Sequence, residues 1–170
     1  MISKKMQDAI NKQINAEMYS AYLYLSMSAW CSDKNLGGFA HWFTIQATEE
    51  MEHAMKFYGY VFEQGGFVKL MPIDGPPTEF PSILEIAKEQ LKHEQKVTSL
   101  IKNLVGMARE EKDYATEFFL QWFITEQVEE ESNAEEIINK LEMVGEKGHA
   151  LFMLDKELGQ RPGRMQGGGE

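Results

Sequence analysis

Cysteine is almost missing from this chain of 170 residues. Cys31 stands alone, so no disulfide forms within the chain and nothing asks for an oxidising compartment. It reads as a small core-facing residue. Long apolar runs are absent too: no segment reaches the roughly 18 to 20 apolar residues that span a bilayer. Met1 to Lys5 lead straight into a polar-interspersed helix pattern, so no targeting leader is expected and the cytoplasm is the default location. Basic residues are scarce, 17 Lys and Arg against 27 Asp and Glu, for a net charge of -10. That balance excludes the clustered positive charge that phosphate backbones require, and with it nucleic acid as a partner. An acidic surface instead raises the local concentration of cations. Strand signals are nearly absent, and most of the five prolines crowd into one stretch.

What is there is helical periodicity. It predicts an all-α fold with long helices at residues 3–32, 38–64, 82–111 and 114–144, and a short fifth at 148–158. Residues 32–38 form a turn, and Gly65-Gly66 stop the second helix. Ser82 followed by Glu85 is a capping-box signature behind Pro81, and Asp113 is placed to cap the fourth helix. The first and second helices, like the third and fourth, are joined by short turns and should form antiparallel hairpins. About 17 residues separate the hairpins, with Pro72, Pro76, Pro77 and Pro81 among them. Extended at about 3.3 Å per residue they reach beyond 50 Å, whereas a helix of about 28 residues is only about 42 Å long. The expected architecture is therefore a four-helix bundle with one long crossover, making the second and third helices parallel. Residues 1–160 form one domain, and residues 161–170, with Gly167-Gly168-Gly169, are expected to be a disordered tail.

Each long helix carries an inward apolar stripe, and each stripe is interrupted by polar residues. The first reads Ile10, Ile14, Glu17, Ala21, Tyr24; the second Phe43, Gln46, Glu50, His53, Phe57. The third reads Ala87, Leu91, Glu94, Val97 or Thr98, Ile101; the fourth Phe119, Phe123, Gln127, Glu130, Ala134. Counted from the two turns, every interruption falls near mid-bundle. One layer should then hold four carboxylates, one imidazole and one amide. A buried carboxylate without a partner costs several kcal/mol, and four together also repel one another. Two divalent cations would cancel that charge. Glu50 and His53, three residues apart, share a helix face and can serve one metal, and Glu50 lies where it can bridge two. Oxygen-rich ligation with a single imidazole suits iron or manganese rather than structural zinc.

These segments resemble the ferritins, specifically the non-haem type of bacteria and archaea. The similarity is carried by Asn15 to Tyr24, Glu49-Glu50-Met51-Glu52-His53-Ala54, Lys92-His93-Glu94 and Phe119 to Glu131, and covers about residues 3–160. The resemblance implies one iron held by Glu17, Glu50 and His53 and a second by Glu50, Glu94 and Glu130. It places Gln127 beside them and gives Tyr24 the position of the family's tyrosine. It further implies a third, weaker iron site from Glu49, Glu126, Glu129 and Glu130, and a hollow shell of 24 chains with the fifth helix beside the four-fold axes. The implied activity is oxidation of Fe(II) by dioxygen or peroxide and storage of the product as ferric oxyhydroxide.

Relatives of the same architecture are separable by residue. Bacterioferritin carries a second Glu-x-x-His on its fourth helix, where this chain has Gln127 and Glu130. Met51 occupies the position of its haem ligand, a position where non-haem ferritins also carry Met, so haem is not expected. One cysteine cannot build the thiolate iron site of a rubrerythrin. A manganese catalase or another dimetal oxidase would need a substrate pocket, and no inserted loop supplies its wall. The remaining residues carry ordinary readings: Trp42 and Trp122 as packing or subunit contacts, His41, His93 and His149 as surface or interface, and the methionines as core filler.

Overall fold

The computed structural model describes residues 1–163; the part of the expected tail at 164–170 lies outside the described residues. Among the described residues there are five helices: α1 Lys4–Asp33, α2 Gly37–Glu63, α3 Ile83–Glu110, α4 Tyr114–Val144 and α5 Gly148–Leu158. The starts of α1, α3 and α4 are set by side chains at the N-cap. Ser3 Oγ accepts from the Met6 amide, Ser82 Oγ from the Glu85 amide at 3.3 Å and Asp113 Oδ1 from the Thr116 amide at 3.0 Å. Only half of the capping box anticipated at Ser82 forms, because the Glu85 carboxylate pairs with Lys88 at 2.9 Å. The tight turns place Asn35 and Lys112 at φ 60 and 55, left-handed conformations in the residue before each following helix or its cap.

α1 pairs with α2 and α3 with α4. Two apolar clusters fix the directions. One joins the C-terminal half of α1, the start of α2, the start of α3, the end of α4 and α5, with Met27, Phe39, Phe43, Ile86 and Leu141 at its centre. The other joins the start of α1 and α4 to the ends of α2 and α3 through Met6, Ile10, Phe57, Ile101 and Leu120. The second and third helices are thus parallel, as the long connection requires. Stacked rings tie α2 to α4 at that end: Phe57 on Phe123 at 4.0 Å and Tyr60 on Phe119 at 3.9 Å.

The crossover is held along α1 by side-chain amides reading its backbone. Gln7 accepts from the Phe67 amide at 2.9 Å, Asn11 exchanges two bonds with Phe67 and Lys69, and Asn15 donates to the Met71 and Pro72 carbonyls. Ser26 closes the run at Pro77. A proline-rich strand that cannot bond to itself is thereby satisfied by one helix face. No helix among the described residues is long and apolar enough to cross a membrane. Among the described residues, the reading of the methionines as filler holds for Met6 and Met27, which are buried, and for Met18 and Met107, which pack partly buried against the core; Met51, Met55, Met143 and Met153 are exposed. The third stripe keeps Ala87, Glu94, Val97 and Ile101 buried as expected but is wider, taking in Gln90 and His93, while Leu91 is only half-buried.

Candidate metal centre

Between the two apolar clusters lies a polar layer. Glu17, Glu50, His53, Glu94, Gln127 and Glu130 are all buried, with Glu94 fully so, and one or more come from every long helix. Ligand atoms of Glu17, Glu50 and His53 lie within 4.8 Å of one another. His53 Nδ1 stands 3.4 Å from Glu50 Oε2, and its Nε2 is 3.7 Å from Glu126 Oε1. On the other side, Tyr24 OH donates to Glu94 Oε1, and Gln127 Nε2 donates to Glu94 Oε2 at 3.1 Å. Glu130 Oε2 accepts from Gln46 Nε2 at 2.7 Å, and Glu17 Oε1 from Gln13 Nε2 at 2.9 Å. The layer is framed by rings: Trp122 and Phe123 meet the His53 imidazole edge-on at 5.4 and 6.1 Å.

The amides bond one oxygen each of Glu17, Glu94 and Glu130, and none reaches Glu50. Glu17 Oε2, Glu50 Oε2 and His53 Nε2 are buried and make no hydrogen bond. Such groups are costly in a protein interior unless something is meant to meet them. Electrostatics gives the same answer. Burial pushes the Glu50 carboxyl well above its ordinary value, and the like charge of Glu94 adds to that. Burial, then Glu130, raises Glu94 to about 8. Glu17 and Glu130 are raised by burial as well. Burial would lower the His53 imidazole, but Glu126, Glu50 and Glu17 overcome it and push it up to about 11. Acids that hold protons beside a base that holds its own describe a site short of positive charge. Oxygen donors with one imidazole, grouped around Glu50, fit iron in their chemistry.

Among known proteins, the ferritin-like domain family matches residues 7–144. The chain belongs to the ferritin family. It is 44% identical over 161 residues to the bacterial non-heme ferritin of Staphylococcus aureus (strain USA300), covering 95% of this chain and 97% of that one. The bacterial non-heme ferritin of Bacteroides fragilis (strain 638R) is 45% identical, with 95% and 100% covered. An open-pore ferritin from the archaeon Archaeoglobus fulgidus superposes with a TM-score of 0.93 at 50% identity, over 95% of this chain and 98% of that one. An engineered closed form of that ferritin gives 0.94.

Several ferritin residues stand differently from their sequence readings. His93 is no surface group: it is buried between α1 and α3, 2.7 Å from Ser20 Oγ and edge-on to the Tyr24 ring. Burial, then Lys96, drops its imidazole to about 4, so it is neutral. Its phase, one position before Glu94, concealed this. His41 and His149 are exposed as expected. Met51 is exposed on α2, and Trp42 is buried while Trp122 is 38% exposed. Of the third set, Glu49 and Glu126 are buried near Glu130, whereas Glu129 is exposed. Sequence reasoning gave no role to Gln13 and Gln46, which orient Glu17 and Glu130, and missed Arg161. Arg161 was assigned to the tail, yet its guanidinium reaches Glu49 Oε2 at 2.8 Å. Gln13, one turn before Glu17, was an available local signal, whereas Gln46 bonds Glu130 on another helix and its spacing to Glu50 does not announce that. Nothing local could have announced Arg161.

Proposed function

We propose that this ferritin oxidises Fe(II) at the centre formed by Glu17, Glu50, His53, Glu94 and Glu130 and stores the product as ferric oxyhydroxide within a shell of its own copies. The 24-chain stoichiometry, a cytoplasmic setting and the use of dioxygen or peroxide belong to this proposal. The observation that carries it is a buried layer to which every long helix contributes a carboxylate, with the partnerless oxygens of Glu17 and Glu50 beside the His53 imidazole.

Fe(II) is the substrate. Glu17, Glu50 and His53 receive one ion, and Glu50, Glu94 and Glu130 the other, with Glu50 shared. Binding displaces the protons that burial had placed on the acids, so charge in the layer stays near balance. Each ion gives up one electron. Hard anionic oxygens bind Fe(III) more strongly than Fe(II), so the ligand set itself favours the oxidised state. With dioxygen, two Fe(II) and four waters yield two FeO(OH), one hydrogen peroxide and four protons. Gln127 and Tyr24 hold Glu94 in place through the change, and the phenol, kept protonated by burial and by Glu94, remains a donor. Glu49, Glu126 and Glu129 form the acidic side by which further iron is held.

The test is replacement of the second ion's ligands. Glu94→Ala and Glu130→Ala should slow Fe(II) oxidation at least about tenfold, a loss of about 1.4 kcal/mol in transition-state stabilisation, with the assembly unchanged by size-exclusion chromatography. Wild-type rates in either variant overturn the assignment.

A further inference from the structure

At the end of α5 the chain folds back onto the start of α2. Asp155 Oδ1 accepts from the amides of Gly38 and Phe39 at 2.9 and 3.0 Å, capping α2 from outside. The two backbones touch there: a Cβ on Gly38 would lie 1.6 Å from the Asp155 carbonyl oxygen, so the contact requires glycine. Docked by that contact, α5 delivers Arg161 to the metal layer. The guanidinium lies over the Trp42 ring at 4.0 Å from its centroid, and its carbonyl oxygen accepts from His41 Nε2 at 2.9 Å. One arm donates to Gln46 Oε1 at 2.5 Å and the other to Glu49 Oε2 at 2.8 Å.

Gln46 is fully buried and has one amide to divide between two neighbours. With its oxygen held by Arg161, its nitrogen faces Glu130 Oε2 at 2.7 Å. The reverse orientation would set carbonyl oxygen against carboxylate and nitrogen against guanidinium. Arg161 thereby selects the Gln46 rotamer, and Gln46 selects which oxygen of Glu130 is committed to the amide. The same guanidinium is already the cation on Glu49.

We propose that Arg161 is a positioning residue of the iron centre with two effects. It keeps Glu130 offering a single oxygen to the second ion, and it withholds Glu49 from any further cation. This rests on the ferroxidase reading of the same layer. A third iron, for which Glu49, Glu126, Glu129 and Glu130 would be the donors, then has to displace the guanidinium, so the C-terminal segment controls passage beyond the first two sites. Beside Arg161, Trp42 and Glu129 line a surface cavity of about 340 Å³ that Glu136, Lys140 and Glu157 also border, which is where a displaced cation or guanidinium would move.

The experiment is anaerobic calorimetric titration of the assembled full-length protein with Zn(II), which reports binding without turnover, and with Fe(II). Wild type should bind two cations per chain tightly and a third weakly. In Arg161→Gln the third should tighten at least tenfold while the second weakens three- to tenfold. Arg161→Lys separates the two effects. Its point charge still shields Glu49, so the third stays weak, but it lacks the fork that fixes Gln46, so the second weakens as in the Gln variant. It also retains the stem against Trp42, and serves alone if Arg161→Gln fails to assemble. Stoichiometry and affinities identical to wild type in both variants, or in the Lys variant alone in that case, overturn the proposal while leaving the ferroxidase reading intact. Absence of the first two cations from wild type overturns the ferroxidase reading and this one with it.

Discussion

At the residue scale, the centre is a set of groups whose protonation is wrong for an empty interior and right for metal. Glu94 is raised from an ordinary 4.5 to about 8 by burial and by Glu130. Its folded pKa therefore exceeds its unfolded one. The metal-free fold holds a proton that the unfolded chain releases, and stability falls as pH rises from about 4.5 to 8. His53, at about 11 against 6.5, acts in the same direction over the window above 6.5. Metal-free protein should thus melt at least about 3 °C lower at pH 8 than at pH 6, given about 2–4 °C per kcal/mol for a chain of this size. Zn(II)-loaded protein should show little of that slope. Differential scanning calorimetry of both forms checks this, and a metal-free melting point that climbs with pH contradicts it. The same protons must leave when metal binds. Titrating Fe(II) anaerobically into weakly buffered protein at pH 7 should release protons, in a quantity that Glu94→Ala reduces.

At the element scale, helix ends and contacts decide what each helix presents. Ser82 caps the start of α3 through the Glu85 amide, beside Glu146, whose carboxylate accepts from the Leu84 amide at 2.9 Å. Ser82→Ala should cost about 1 kcal/mol of stability by denaturant unfolding, without altering Fe(II) oxidation, because the cap lies more than two turns from Glu94. The α5–α2 contact is less tolerant. Gly38→Ala places a Cβ inside the Asp155 carbonyl, and overpacking of this kind costs about 1–3 kcal/mol. Its distinctive consequence is at a distance: α5 must retreat, carrying Arg161 off Trp42. A changed Trp emission at 25 °C in the folded variant would register that loss, and an emission spectrum identical to wild type would show the docking to be dispensable.

At the scale of the whole molecule, one polar layer separates two apolar clusters, so stability and function meet at mid-bundle. The protein should elute as a species near 24 times 19.5 kDa and take up far more than two irons per chain when loaded in air. A monomer or dimer that stops at two would defeat the storage reading while sparing the centre. Much of this was legible in order. Proline-rich spacing dictated the crossover, and counting from the two turns put Glu17, Glu50, Glu94 and Glu130 at one height. These are local periodicities, and a helix of fixed rise converts them directly into position. His93 and Gln90 were misjudged because the third stripe is wider than a strict heptad, so a one-residue error in phase moved a side chain from core to surface.

The sequence alone determined four amphipathic helices, their directions and the identity of the central acids, because each follows from spacing along a single chain segment. Tertiary structure decided what those acids touch. It chose the oxygen of each carboxylate that an amide occupies and brought Arg161 across 112 residues of chain to Glu49. Such contacts join segments whose separation carries no period, so only the packing of α5 on α2 sets them.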